Sequence, residues 1–204
     1  MTNEHHHSHQ DHSHCDIEMP HHHHDFGKSS EQSDKLEAGK KVLTIRSHSG
    51  LAGDMFLCGL IRTLGLSSQE TDNILNGIFP ALKGSVQLVK KEVNHIAGWH
   101  CSVQLPHEHQ HRNLDDVLKI ISQAQLSEKA KSYAVSAFSF VAEAEAAVHS
   151  LNIEEVHFHE VGALDSILDI CFTCELFARL NPDYFVVSPL PIADGVIHCA
   201  HGAI

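Results

Sequence analysis

The chain has 204 residues, enough for one or two domains with a sizeable core. Its formal charge of −12, with histidine counted neutral, argues against nucleic acid as a partner and suits a cationic ligand. The sequence shows no leader pattern, no apolar run long enough to span a membrane and no framework spacing among its six cysteines, so a cytoplasmic protein is expected.

Residues 1–40 differ in character from the rest. Ten of the 21 histidines precede Phe26, in two blocks interspersed with Ser, Asp, Gln and Cys15. Apolar residues are nearly absent, so the segment cannot offset its ordering entropy by burial and is read as disordered. The interrupted pattern favours a natural metal-binding tail over an appended tag. Unprotonated imidazoles bind nickel or zinc near neutral pH. Residues 41–204 then form the expected folded domain.

A short strand is predicted over 42–46 and a helix over 54–64, ended by Gly65. Between them SHSGLAGDM places Ser49, Gly50, Gly53 and Asp54 in a strand–turn–helix junction. Two glycines let backbone amides approach an oxyanion at a helix N-terminus. The motif lacks the Lys and spacing of a Walker loop, so a tight structural turn is the competing reading. A helix over 69–78 follows, capped by Ser67 or Ser68. Alternation then predicts strands over 86–93 and 98–105, an antiparallel pair with Trp99 packed beneath it.

His107, His109 and His111 alternate in PHEHQHR. An extended backbone would aim all three to one side as metal ligands; a polar loop is the alternative. Arg112 faces an anionic substrate or solvent. Asn113 caps a helix over 114–121. The longest helix is predicted over 127–149. Glu145 and His149 fall within its apolar stripe at i and i+4, where they share a metal or bond to each other.

The stretch VHFHEVGALDSILDI, 156–170, is a strand broken by Gly162 and followed by a helix from about Ala163. His157 and His159 leave one strand face, and Glu160 and Asp165 bracket the glycine. Imidazole plus carboxylate suits a borderline divalent ion such as nickel or zinc. The alternative keeps the histidines half-buried in the core and Asp165 at the helix N-terminus. Cys171 and Cys174 lie in an apolar helix and read as buried thiols. A strand is expected over 184–188 and another over 193–198. Alternating strands and helices predict an α/β fold, a layered domain with a mixed sheet.

Four segments together, SGLAGDMFLCGLI, HEHQHRNLDDVLKII, AEAEAAVHSLNIEEVHFHE and HFHEVGALDSILDI, resemble the LarC family of nickel-insertion proteins, which complete the nickel-pincer nucleotide cofactor. The resemblance covers roughly 42–204. It implies insertion of nickel into pyridinium-3,5-bisthiocarboxylic acid mononucleotide, with Glu160 or Glu145 as the base that takes the displaced ring proton. The metal would bind among His157, His159, Asp165, His149, His107, His109 and His111. It also implies use of CTP, with a divalent cation, in the complete protein. In that family the HG near the chain's end is followed by a C-terminal domain associated with CTP, so a separately encoded C-terminal portion is an expected partner and a homo-oligomer an expected assembly. Arg46 and His48 depart from the family's acidic and aromatic residues at those places. Two further classes compete: a nickel store or metallochaperone without chemistry, and a metal-dependent hydrolase built on HFHE and Asp165.

Overall fold

The structure, a computed structural model, describes residues 37–48, 50–105, 112–158, 161–191, 195–196, 198–199 and 202–203. The sequence-predicted α/β class holds, with parallel and antiparallel pairings both present. Among the described residues these pairings occupy separate two-stranded sheets.

Strand β1, Val42–Ile45, runs parallel to β6, Tyr184–Val187, with Val42 opposite Tyr184 and Ile45 opposite Val187. Helix α1, Gly53–Thr63, ends in a Schellman motif: Leu66 N–H donates to Ile61 O and Gly65 N–H to Arg62 O. Helix α2, Ser68–Ile78, opens on a capping box in which Ser67 and Glu70 bond each other's backbone amides.

Strands β2, Val86–Val93, and β3, Ile96–Val103, form an antiparallel hairpin. Its connection is only Asn94–His95, because both residues adopt positive φ, 50° and 64°, as a two-residue turn requires. This starts the second strand two residues earlier than the sequence predicts. Trp99 is also not beneath the hairpin. It is 44% exposed, with the Arg62 guanidinium 4.3 Å from its ring centroid, so a cation rather than the core takes its face.

Strand β4, Arg112–Asn113, leads directly into α3, Leu114–Gln123, capped by Asn113 through a second capping box with Asp116. Helix α4, Glu128–His149, starts at the Ser127 cap and ends on Ser150 in the left-handed region. Strand β5, His157–Phe158, pairs with β4. Helix α5, Leu164–Leu180, ends at Asn181-Pro182. Two short strands, β7 at His198–Cys199 and β8 at Gly202–Ala203, pair with each other.

The core forms around α5. Ile167, Leu168, Phe172 and Leu176 are fully buried, as are Leu57 and Ile61 of α1 and Phe138 of α4. Both α1 and α4 pack on α5, and α3 packs on α4. Cys171 is buried, as the sequence predicts, whereas Cys174 is only half-buried. Burial pushes both thiols up to about 12, which keeps them protonated and unreactive at neutral pH.

Candidate functional site

The β4–β5 ladder positions the two internal histidine segments. Arg112 lies opposite Phe158 and Asn113 opposite His157, in antiparallel register. The N-terminal end of β4 therefore sits beside the C-terminal end of β5. Those are the points of attachment of segments 106–111 and 159–160, which carry His107, His109, His111, His159 and Glu160. These five residues and Ser49 lie outside the described residues. His157 is exposed, so the reading of it as a core histidine is overturned. Phe158, its neighbour, faces the opposite way and is buried against Phe138, with ring centroids 6.1 Å apart.

Arg112 is not a solvent-facing residue. It is 7% exposed, and its Nη1 donates to Gly162 O at 2.8 Å, tying the β4 strand to the turn before α5. A Cβ on Gly162 would lie 2.9 Å from Phe158 Cβ, so only glycine allows that turn to close over the ladder.

The glycine turn builds a second part of the site. Gly50 has φ +98°, a conformation that side chains rarely adopt. Helix α1 starts at Gly53, and Ala52 at its N-cap offers its first amides no side-chain bond. A Cβ on Gly53 would lie 2.8 Å from Asp169 Oδ2, which brings the α1 N-terminus against α5. Asp54 is in the first turn of α1 and Asp165 in the first turn of α5. Asp165 is exposed, and its Oδ1 accepts the Ser166 N–H at 2.7 Å.

Asp169 is the residue that sequence reasoning did not select. Among the described residues its Oδ1 is buried without a hydrogen-bond partner, as is Thr173 Oγ1 one turn further along α5. Burial, then the Asp54 charge, then the Asp165 charge push its carboxyl up to about 6. The four-residue spacing from Asp165 was visible in the sequence. Its close approach to Gly53 was not, because that contact joins residues 116 positions apart.

A raised carboxyl binds its proton more tightly in the folded than in the unfolded chain. Its neutral form stabilises the fold at low pH, and that contribution is lost as pH rises from the ordinary value near 3.8 through about 6. Asp169→Asn is therefore expected to melt several degrees above the parent at pH 8, with the gap closing by about pH 4.5. Calorimetry across that range checks it; a gap constant with pH would show that Asp169 is not the titrating group.

Glu145 and His149 are brought together at the end of α4, with Oε2 and Nε2 3.3 Å apart. Both side chains are about a quarter to a third exposed, so the pair sits at the edge of the apolar stripe rather than in it. Among the described residues no three His, Cys, Asp or Glu side chains converge closely enough to hold a metal ion. The described ligand candidates thus form a pair (Glu145, His149), an isolated imidazole (His157) and the acidic group at the glycine turn. One buried carboxylate is structural: burial raises the Glu175 carboxyl, but bonds from Ser127 N–H and Arg179 outweigh this and hold it below its ordinary value.

Comparison with known proteins gives the family. The family model described as "Nickel insertion protein" matches residues 43–204. A putative nickel insertion protein of Dictyoglomus thermophilum is 40% identical over 164 residues, covering 80% of this chain and 42% of the relative. One from Myxococcus xanthus is 37% identical, covering 81% and 43%. The pyridinium-3,5-bisthiocarboxylic acid mononucleotide nickel insertion protein of Geobacillus kaustophilus is 34% identical, covering 79% and 41%. The chain thus spans less than half the length of these relatives. No solved structure matches it. No helix among the described residues is long and apolar enough to cross a membrane. With the family match running from β1 through the glycine turn, the β4–β5 ladder and α5, the chain belongs to the nickel insertion protein family.

Proposed function

We propose that this chain takes part in inserting nickel into pyridinium-3,5-bisthiocarboxylic acid mononucleotide, in a reaction that consumes CTP with a divalent cation when the protein is complete. The observation that carries the reading is the family match over residues 43–204, joined by relatives whose names print that substrate. Nickel is the cargo. His157, His159 and Asp165, with His107, His109 and His111 attached at the same end of the β4–β5 ladder, supply imidazole and carboxylate donors. Such donors hold nickel less tightly than an all-thiolate site, so a substrate with two sulfurs can take it. His149 supplies a further imidazole beside Glu145. As the metal–carbon bond forms, a ring C–H bond breaks and its proton goes to Glu160 or Glu145.

The substrate's phosphate is assigned to Ser49, Gly50, Gly53 and Asp54 at the α1 N-terminus, and Arg112 is assigned as a further cation for the nucleotide. The acidic neighbours Asp165 and Asp169 would repel a bare phosphate, so this turn suits a cation–phosphate pair better than a lone anion. Residues 1–40 act as a nickel-holding tail, which a cytoplasmic protein would use to gather the ion before transfer. A separately encoded C-terminal portion would supply the CTP-dependent step.

Nickel titration before and after deletion of residues 1–36 tests the division of labour, with and without the thiolated nucleotide. The cut stops short of Lys40 and Lys41, which contact Asp183. The deleted protein is expected to lose most of its nickel, melt cooperatively and keep a high-affinity site whose nickel passes to the nucleotide. Unchanged stoichiometry would end the storage role of the tail. Nickel retained with no transfer to nucleotide, even with the C-terminal portion and CTP, would leave a metallochaperone.

A further inference from the structure

The β1–β6 sheet is incomplete by its own physics. Parallel strands occur almost only in sheets covered on both faces, and a two-stranded sheet is marginal by itself. One face here is partly covered: Phe185 stacks on Phe56 of α1 and meets Phe177 of α5, with centroids 6.2 and 5.2 Å apart. The other face carries Val42, Tyr184, Thr44 and Val186, none of them buried. The β6 strand reads YFVV, and Phe185, Val186 and Val187 are 46%, 45% and 42% exposed. Leu190 just beyond is 66% exposed.

The backbone is equally open. Tyr184 N–H donates to Lys41 O and Ser188 N–H to Ile45 O, so even-numbered residues of β6 face β1. By alternation the N–H groups of Phe185 and Val187 point away from β1. Among the described residues nothing pairs with that edge. Soluble proteins blunt such edges with charge, proline or a bulge, and YFVV contains none of these until Pro189.

We infer that the outer edge of β6 is a docking site for an additional β-strand, supplied by the polypeptide that lies outside the matched region in the longer relatives. More than half of each relative lies there, since the matched part covers only 40–43% of its length. An added strand would pair the outward amides of Phe185 and Val187, and its own chain would cover Val186 and Leu190. The inference rests on family membership and on the partner assigned above, but not on nickel chemistry.

Hydrogen exchange on two proteins as they exist tests it: this chain and the full-length Dictyoglomus thermophilum relative. The inward amides of Tyr184 and Ser188, and their aligned counterparts, serve as internal references. In this chain Phe185 and Val187 are expected to exchange about 100-fold faster than the references; in the relative the difference is expected to vanish. An equally open edge in both proteins would overturn the proposal. So would protection already present in this chain, whether it fades on dilution, which marks a second copy as occupant, or persists, which marks the chain's own residues. A protected edge in a relative that inserts no nickel would leave the docking site standing and remove the functional reading instead.

Discussion

Replacing His157 and His159 together by alanine is expected to abolish high-affinity nickel binding in the chain lacking residues 1–36, a loss of at least about 100-fold, because two donors fewer leaves too few to hold the ion. The melting temperature provides the control. His157 is exposed on β5 and pairs through its backbone with Asn113, so removing its imidazole costs the fold within about 0.5 kcal/mol. A loss of affinity without a loss of stability is thus specific to ligation. Affinity should also fall as the pH is lowered, because protons compete with the metal for the ligand imidazoles. A double variant that binds nickel at parental strength would remove this stretch from the site. The metal would then be assigned to His107, His109 and His111, which precede β4 in the sequence.

Gly53→Val is expected to give the second largest effect, and through packing rather than backbone conformation. Its Cβ would start 2.8 Å from Asp169 Oδ2, so either α1 shifts or the carboxylate turns away. Overpacking of this kind costs about 1–3 kcal/mol. If the α1 amides cradle the substrate phosphate, nucleotide affinity falls by more than the stability loss accounts for, by about 10-fold or more. Pairing the change with Asp169→Ala separates the two effects. The smaller side chain relieves the clash and restores the melting temperature, while the valine branches still obstruct the amides and affinity stays low. Recovery of both together would return the turn to a purely structural role. Gly50→Val is strained for another reason: among the described residues nothing lies within 4 Å of its Cβ position, but φ +98° disfavours any side chain.

Local chemistry made much of the chain legible. Helix ends were readable because caps are written in a few adjacent residues: Ser67 with Glu70, Asn113 with Asp116, Ser127, Gly65, and Asn181 before Pro182. The apolar character of the helix around Cys171 also predicted that this thiol is buried. The family-defining segments were also local, which is why the resemblance could be stated on four short motifs.

Contacts between distant segments were decided by tertiary structure alone. Arg112 looked like a surface cation because its Gly162 partner lies 50 residues away. Trp99 looked like a core residue until Arg62 of α1 covered its ring. The sequence predicted a mixed sheet from alternation, and alternation carries no information on which strands pair; the pairing of β1 with β6 joins strands far apart in the chain, Val42 opposite Tyr184. Asp169 shows the same limit in the candidate site. Its residue type and spacing are written in the sequence, but its raised carboxyl comes from burial and from charges on two helices. Only folding brings Asp169 of α5 against Gly53 and Asp54 of α1.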